Sequence, residues 1–168
     1  MFEKGDYIVY GTTGVCQVED ITTMDPLQTG NARLFYVLIP SSQKSGKIFT
    51  PADNTKNYMR KVLNSKEAEQ LIDEIPEIEE LWIANEKQRE ELYKTCMKSG
   101  DCRQWIRIIK TLYLRKLQRN AQGKRITAVD EKYLQMAEDC LYSELEAALG
   151  LPKAQMADYI GTRIEQNK

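Results

Sequence analysis

The chain has 168 residues, 42% of them hydrophobic and 29% charged, and a formal net charge of −1. That is apolar enough to build one core or two small ones and to exclude a disordered chain. No apolar run approaches the roughly 20 residues that span a bilayer, and Met1-Phe2-Glu3-Lys4-Gly5-Asp6 is not a signal peptide, so a cytoplasmic protein with no membrane partner is expected.

The first sixty residues read as β-structure. Tyr7–Tyr10, Val15–Ile21, Leu34–Ile39 and Lys47–Thr50 are short runs rich in β-branched and aromatic residues, and Tyr58–Val62 offers a fifth. Turn residues separate them at Gly11–Gly14, Asp25–Asn31 and Pro40–Gly46. Four or five short antiparallel strands bury an apolar face only by curling into a small barrel or a tight two-layer sheet.

Helices follow. Asn64-Ser65-Lys66-Glu67 has the form of a capping box, with Ala68, Leu71, Ile72 and Ile75 on one face behind it. After Pro76, a short second helix is predicted with Ile78, Leu81 and Trp82 on its apolar side. The next helix runs from about Asn85 to Lys98 and stops at Ser99-Gly100. Asp101 with Gln104 reads as a second capping box, opening a helix that turns Trp105, Ile108, Ile109 and Leu112 inward and Arg103, Arg107 and Lys110 outward. Gln122-Gly123 ends it and leaves Lys124 and Arg125 in a loop. Thr127 and Asp130 cap a long helix to about Leu149, with Val129, Tyr133, Met136, Ala137, Cys140, Leu141 and Leu145 inward. Gly150 stops it, and a last helix repeats Met156, Ile160 and Ile164. The fold class is α+β: a β-module over residues 1–62, then an all-α bundle of five or six helices over residues 63–168.

Charge is distributed unevenly. Residues 82–127 hold twelve cations against four carboxylates, a local +8, while residues 65–81 carry −6 and residues 128–168 carry −4. A basic block inside a nearly neutral chain points to a polyanion partner. The chain has no histidine, no Gly-rich phosphate loop and no GxSxG elbow, so an ordinary carrier of general-base chemistry is missing and no enzymatic role is expected. Four cysteines, at 16, 96, 102 and 140, form no CxxC pair, so thiols in a reducing compartment are expected, with neither metal nor cofactor.

Several motifs stand in a familiar order. Phe2-x-x-Gly5-Asp6-x-Ile8-Val9-Tyr10-x-x-x-Gly14-Val15, then Tyr36-Val37-Leu38 and Pro51-Ala52-Asp53-Asn54, resemble the CarD/CdnL family of bacterial transcription regulators. This opening module is similar to the RNA polymerase interaction domain also found in transcription-repair coupling factor. Ser99-Gly100-Asp101, Thr127-Ala128-x-x-Glu131-Lys132 and Ser143-Glu144-Leu145 extend the resemblance over nearly the whole chain.

The resemblance implies a Tudor-like barrel that docks on the polymerase β subunit and a helical domain that touches promoter DNA, without reading sequence, at the upstream edge of the opening bubble. There a tryptophan would wedge into the minor groove and favour the melted state. Trp82 is the candidate wedge; the competing reading places it in the bundle core with Ile78 and Leu81. Trp105 is assigned to the core. The resemblance adds Lys87, Arg89 and Lys132 as DNA contacts, and charge geometry adds Arg103, Arg107, Lys110, Lys124 and Arg125. Met24 and Phe49 stand where some relatives carry polymerase-binding arginines. With Thr23 and Ile48 they mark the expected docking edge, which would pair with a strand of the partner. A monomer is expected, a strand-swapped dimer being the alternative. The rival function is a protein-only adaptor joining two protein partners.

Overall fold

Among the described residues, the β-branched and aromatic runs form five strands: β1 (Tyr7–Tyr10), β2 (Gly14–Met24), β3 (Arg33–Pro40), β4 (Ile48–Pro51) and β5 (Met59–Lys61). The computed structural model describes residues 1–42, 46–54 and 56–168, so part of the turn expected between Pro40 and Gly46 lies outside the described residues. All pairings are antiparallel, in the order β4-β3-β2-β1-β5. Period-two alternation gives each face its own task. Ile8, Cys16, Val18, Tyr36 and Leu38 form a small core on one face, whereas Val9, pointing the other way, joins the core of the helices.

The sheet is strongly curled. The Tyr10 hydroxyl lies 3.4 Å from Thr50 Oγ1, although β2 and β3 separate their strands. Three strand spacings would place β1 and β4 about 14 Å apart in a flat sheet, further than one tyrosine reaches. A register shift between Val18 and Asp20 in β2 adds local bend.

Five α-helices follow among the described residues: α1 (Ser65–Glu74), α2 (Arg89–Lys98), α3 (Cys102–Ala121), α4 (Ala128–Leu149) and α5 (Met156–Gln166). The Asn64 capping box is complete, since the Asn64 side chain accepts from Glu67 N–H and the Glu67 carboxylate accepts from Asn64 N–H. Asp101 caps α3 by accepting from Arg103 N–H, but the expected box is not closed. Gln104 Oε1 instead accepts from Arg107 and from the Cys96 thiol. Thr127 caps α4, and Gly150, in the left-handed region at φ 71°, ends it. Tyr133, Ala137, Cys140, Leu141 and Leu145 are buried as expected, but Val129 is exposed.

One side chain locks sheet to helices. Arg60 of β5 makes a two-pronged pair with Glu144 of α4, at 2.6 and 2.7 Å, and donates to Gly100 O at 2.8 Å. Glu144 is fully buried and accepts from Leu63 N–H and the Cys102 thiol as well, so every lone pair that burial strips of water has a donor. The Arg60 guanidinium also lies 5.8 Å from the Trp105 ring.

Candidate functional site

The segment from Ile78 to Asn85 is where sequence and structure part. Only Ile75–Glu77 forms a helical turn after α1; the chain is then extended, with φ −74°, ψ 122° at Ile78 and φ −137°, ψ 123° at Asn85. The predicted second helix is therefore an irregular strap lying along α3. In a helix, Ile78, Leu81 and Trp82 would share one face. In an extended chain, neighbours point oppositely. Leu81 and Ile83 accordingly pack against the bundle core, and Trp82 between them is turned to solvent, 83% exposed. The reading of Trp82 as a core residue is thereby corrected. Trp105 is fully buried.

Two of the cations assigned to an outward strip, Arg107 and Lys110, are turned to this strap, and the third, Arg103, is turned to the end of α1. Arg103 pairs with Glu74, Arg107 Nε donates to Glu79 O at 3.3 Å, and Lys110 Nζ donates to Ile78 O at 2.6 Å. Partial burial lowers the affinity of Lys110 for its proton. One position along, the Thr111 hydroxyl accepts from Leu81 N–H at 2.9 Å and donates to Arg107 O at 2.7 Å. The helical spacing of Arg103, Arg107 and Lys110 is legible in the sequence, but nothing there singles out Thr111 or shows that a strap lies on this face.

Arg89 also has an internal assignment. Its guanidinium grips Glu86 with two nitrogens, both at 2.9 Å, and donates to the Tyr93 hydroxyl at 2.7 Å. Tyr93 donates at 3.2 Å to Asp130, which accepts from Arg115 Nε at 2.8 Å; Arg115 then returns to Glu86 at 3.5 Å. This closed ring ties the far end of the strap to α2, α3 and α4. Burial pushes the Tyr93 hydroxyl up to about 12, with Asp130 beside it adding to the effect, so it stays a donor. Sequence reasoning missed the ring because its members are 86, 89, 93, 115 and 130, distant along the chain, and Asp130 was visible only as a cap partner.

Lys87, Lys124, Arg125 and Lys132 are exposed and make no ion pair among the described residues. Lys87 follows the strap directly, Lys124 and Arg125 lie in the α3–α4 connection, held where Arg119 donates to Arg125 O, and Lys132 sits in the first turns of α4 over the Tyr133 ring. No Asp or Glu occurs from Cys102 to Val129. Within that stretch Tyr113, Leu114 and Leu117 are exposed, an apolar component that charge counting overlooked.

On the β-module, β4 is one end of the sheet and its Phe49 is 52% exposed. Ile48 is half-buried and packs on the sheet core. Thr23 and Met24 end β2, a strand inside the sheet, so they do not share an edge with Phe49; Met24 is paired with Arg33 of β3. On its other side β1 reaches only from Gly14 to Gln17, which leaves the distal part of β2 without a neighbouring strand from β1.

All four cysteines are buried and unpaired. Burial pushes the Cys16 thiol up to about 12 and the Cys140 thiol to about 11, which keeps both protonated. Among the described residues no cluster of His, Cys, Asp or Glu could hold a metal, and no helix is long and apolar enough to cross a membrane.

Residues 2–63 match the family model of the CarD-like/TRCF RID domain, and residues 71–161 match that of the CarD C-terminal domain. No curated protein sequence matches the chain. With both models in order and together spanning the sheet and the helices, the chain belongs to the CarD family and is a transcription-associated protein that interacts with RNA polymerase.

Proposed function

We propose that the β-module docks on the polymerase β subunit and that Trp82 then enters the minor groove at the upstream edge of the promoter bubble, holding it open. The observation that carries this reading is the exposed indole on a strap whose flanking side chains, Leu81 and Ile83, pack partly buried against the core. A large aromatic displayed at 83% exposure gains apolar contact only from a partner, and a separating base step supplies that contact in the melted state alone. Lys87, Lys124, Arg125 and Lys132 would neutralise phosphates without reading sequence. The outer edge of β4, with Phe49 exposed, suits the addition of a partner strand. The protein would act in the cytoplasm as a monomer, reaching the nucleoid through polymerase, and the reading assigns it no reaction.

The test is the lifetime of open promoter complexes formed with the full-length protein and polymerase. Trp82→Ala should shorten that lifetime by about tenfold while changing folding stability by no more than about 0.5 kcal/mol, as for an exposed site. An unchanged lifetime would favour an adaptor joining two proteins. So would charge reversal of Lys87, Lys124, Arg125 and Lys132 that leaves DNA retention intact.

A further inference from the structure

We infer that Thr111, with Lys110 and Arg107, is a positioning device for Trp82: one polar face of α3 clamps the backbone of the strap so that the indole is presented in a fixed place. This rests on the function proposed above and goes beyond it by assigning the role to residues that would touch no nucleic acid.

The geometry points to a clamp for three reasons. First, the contacts are aimed at backbone. Lys110 and Arg107 donate to the carbonyls of Ile78 and Glu79, and Thr111 accepts the N–H of Leu81, the residue next to Trp82. Backbone contacts fix the path of a chain whatever its side chains, and this path needs fixing because no helix or sheet ladder holds it. Second, Thr111 both accepts and donates: its hydroxyl donates to Arg107 O within its own helix, which fixes the direction of the lone pair that accepts from Leu81 N–H. Third, the clamp has a second anchor beyond the indole, where Glu86 is held by Arg89 and Arg115. Trp82 lies between two fixed points, with Leu81 and Ile83 packed beneath it. Holding an exposed aromatic still removes the entropy cost of ordering it on arrival at a partner.

Thr111→Val removes the acceptor at nearly constant volume, Thr111→Ser retains it, and Lys110→Met removes the carbonyl contact while leaving an aliphatic stem. In the full-length protein, amide hydrogen exchange at Leu81 should accelerate about tenfold in Thr111→Val, recover in Thr111→Ser and rise again at Ile78–Leu81 in Lys110→Met, with α3 and α4 amides unchanged. Open-complex lifetime should fall in the same order, and polymerase binding should not change. Unchanged exchange at Leu81 in Thr111→Val overturns the clamp. Faster exchange with an undiminished open-complex lifetime overturns its positioning role, provided Trp82→Ala shortens that lifetime in the same assay. If Trp82→Ala has no effect, the wedge reading is what falls, and the exchange measurement still decides whether α3 clamps the strap.

Discussion

Trp82 and Trp105 are the chain's two tryptophans, one exposed by 83% and the other completely enclosed. The contrast separates contact from stability residue by residue. Removing the Trp105 side chain deletes a large part of the helical core, and Trp105→Ala should cost about 3–5 kcal/mol. The Trp105 indole N–H is buried with no acceptor among the described residues. Trp105→Phe therefore sheds an unsatisfied donor along with some packing, and its cost should stay below about 2 kcal/mol. Both figures can be read from urea unfolding. The phenylalanine variant has a further use, because Trp82 becomes the sole indole and its fluorescence reports the strap alone. A spectral blue shift is expected when polymerase and forked promoter DNA are added together, and none with polymerase by itself.

At the level of elements, the strap shows which parts of the fold could be read from sequence. The strands, the capping box at Asn64, the glycine stop at Gly150 and the buried face of α3 follow from local rules of period, capping and turn chemistry. The strap obeys no such rule. Ile78, Leu81 and Trp82 fit a helix face while Leu81 and Ile83 fit a period-two pattern, and what decides between them is α3, a partner some thirty positions away. The same distance explains why Arg103, Arg107 and Lys110 looked like a free cationic strip. Acid should loosen the elements that flank the strap, α1 before it and the turn at Glu86 after it. The hydrogen bond from Arg103 holds the Glu74 carboxyl below its ordinary value of 4.5, and that from Arg89 does the same for Glu86. A carboxyl lowered on folding stabilises the native state above its unfolded value and loses that contribution as pH falls through the folded one. Trp82 fluorescence in the Trp105→Phe background should thus change only below about pH 4.5. Glu86→Gln, which mimics the protonated form at that end, should shift the neutral-pH signal toward the acid form and shrink the transition.

The whole molecule depends on the Arg60–Glu144 junction. Arg60→Ala leaves a carboxylate with 0% exposure facing only Leu63 N–H and the Cys102 thiol, and breaking such a pair on one side should cost about 3–5 kcal/mol. Thermal unfolding should then lose its single transition, the sheet melting before the helices. The proposed docking edge offers a complementary test, because Phe49 stands on β4, at the opposite end of the strand order from Arg60 on β5. Phe49→Ala should weaken capture of polymerase β by about tenfold or more, as truncation of an interface aromatic does, without moving the unfolding midpoint. Gly100, at φ 66°, completes the join: a Cβ there would lie 2.5 Å from the Tyr58 ring, so turn and ring meet with no room to slide. On the function proposed above, such a joint would make the protein a caliper of set span, one jaw on the enzyme and the other at the indole. Since base pairs succeed one another every 3.4 Å or so, a caliper of that kind would select where along the template the strands are propped apart. Lengthening the connection at Leu63 by even a few residues would therefore shift or blur that position while both jaws kept their grip.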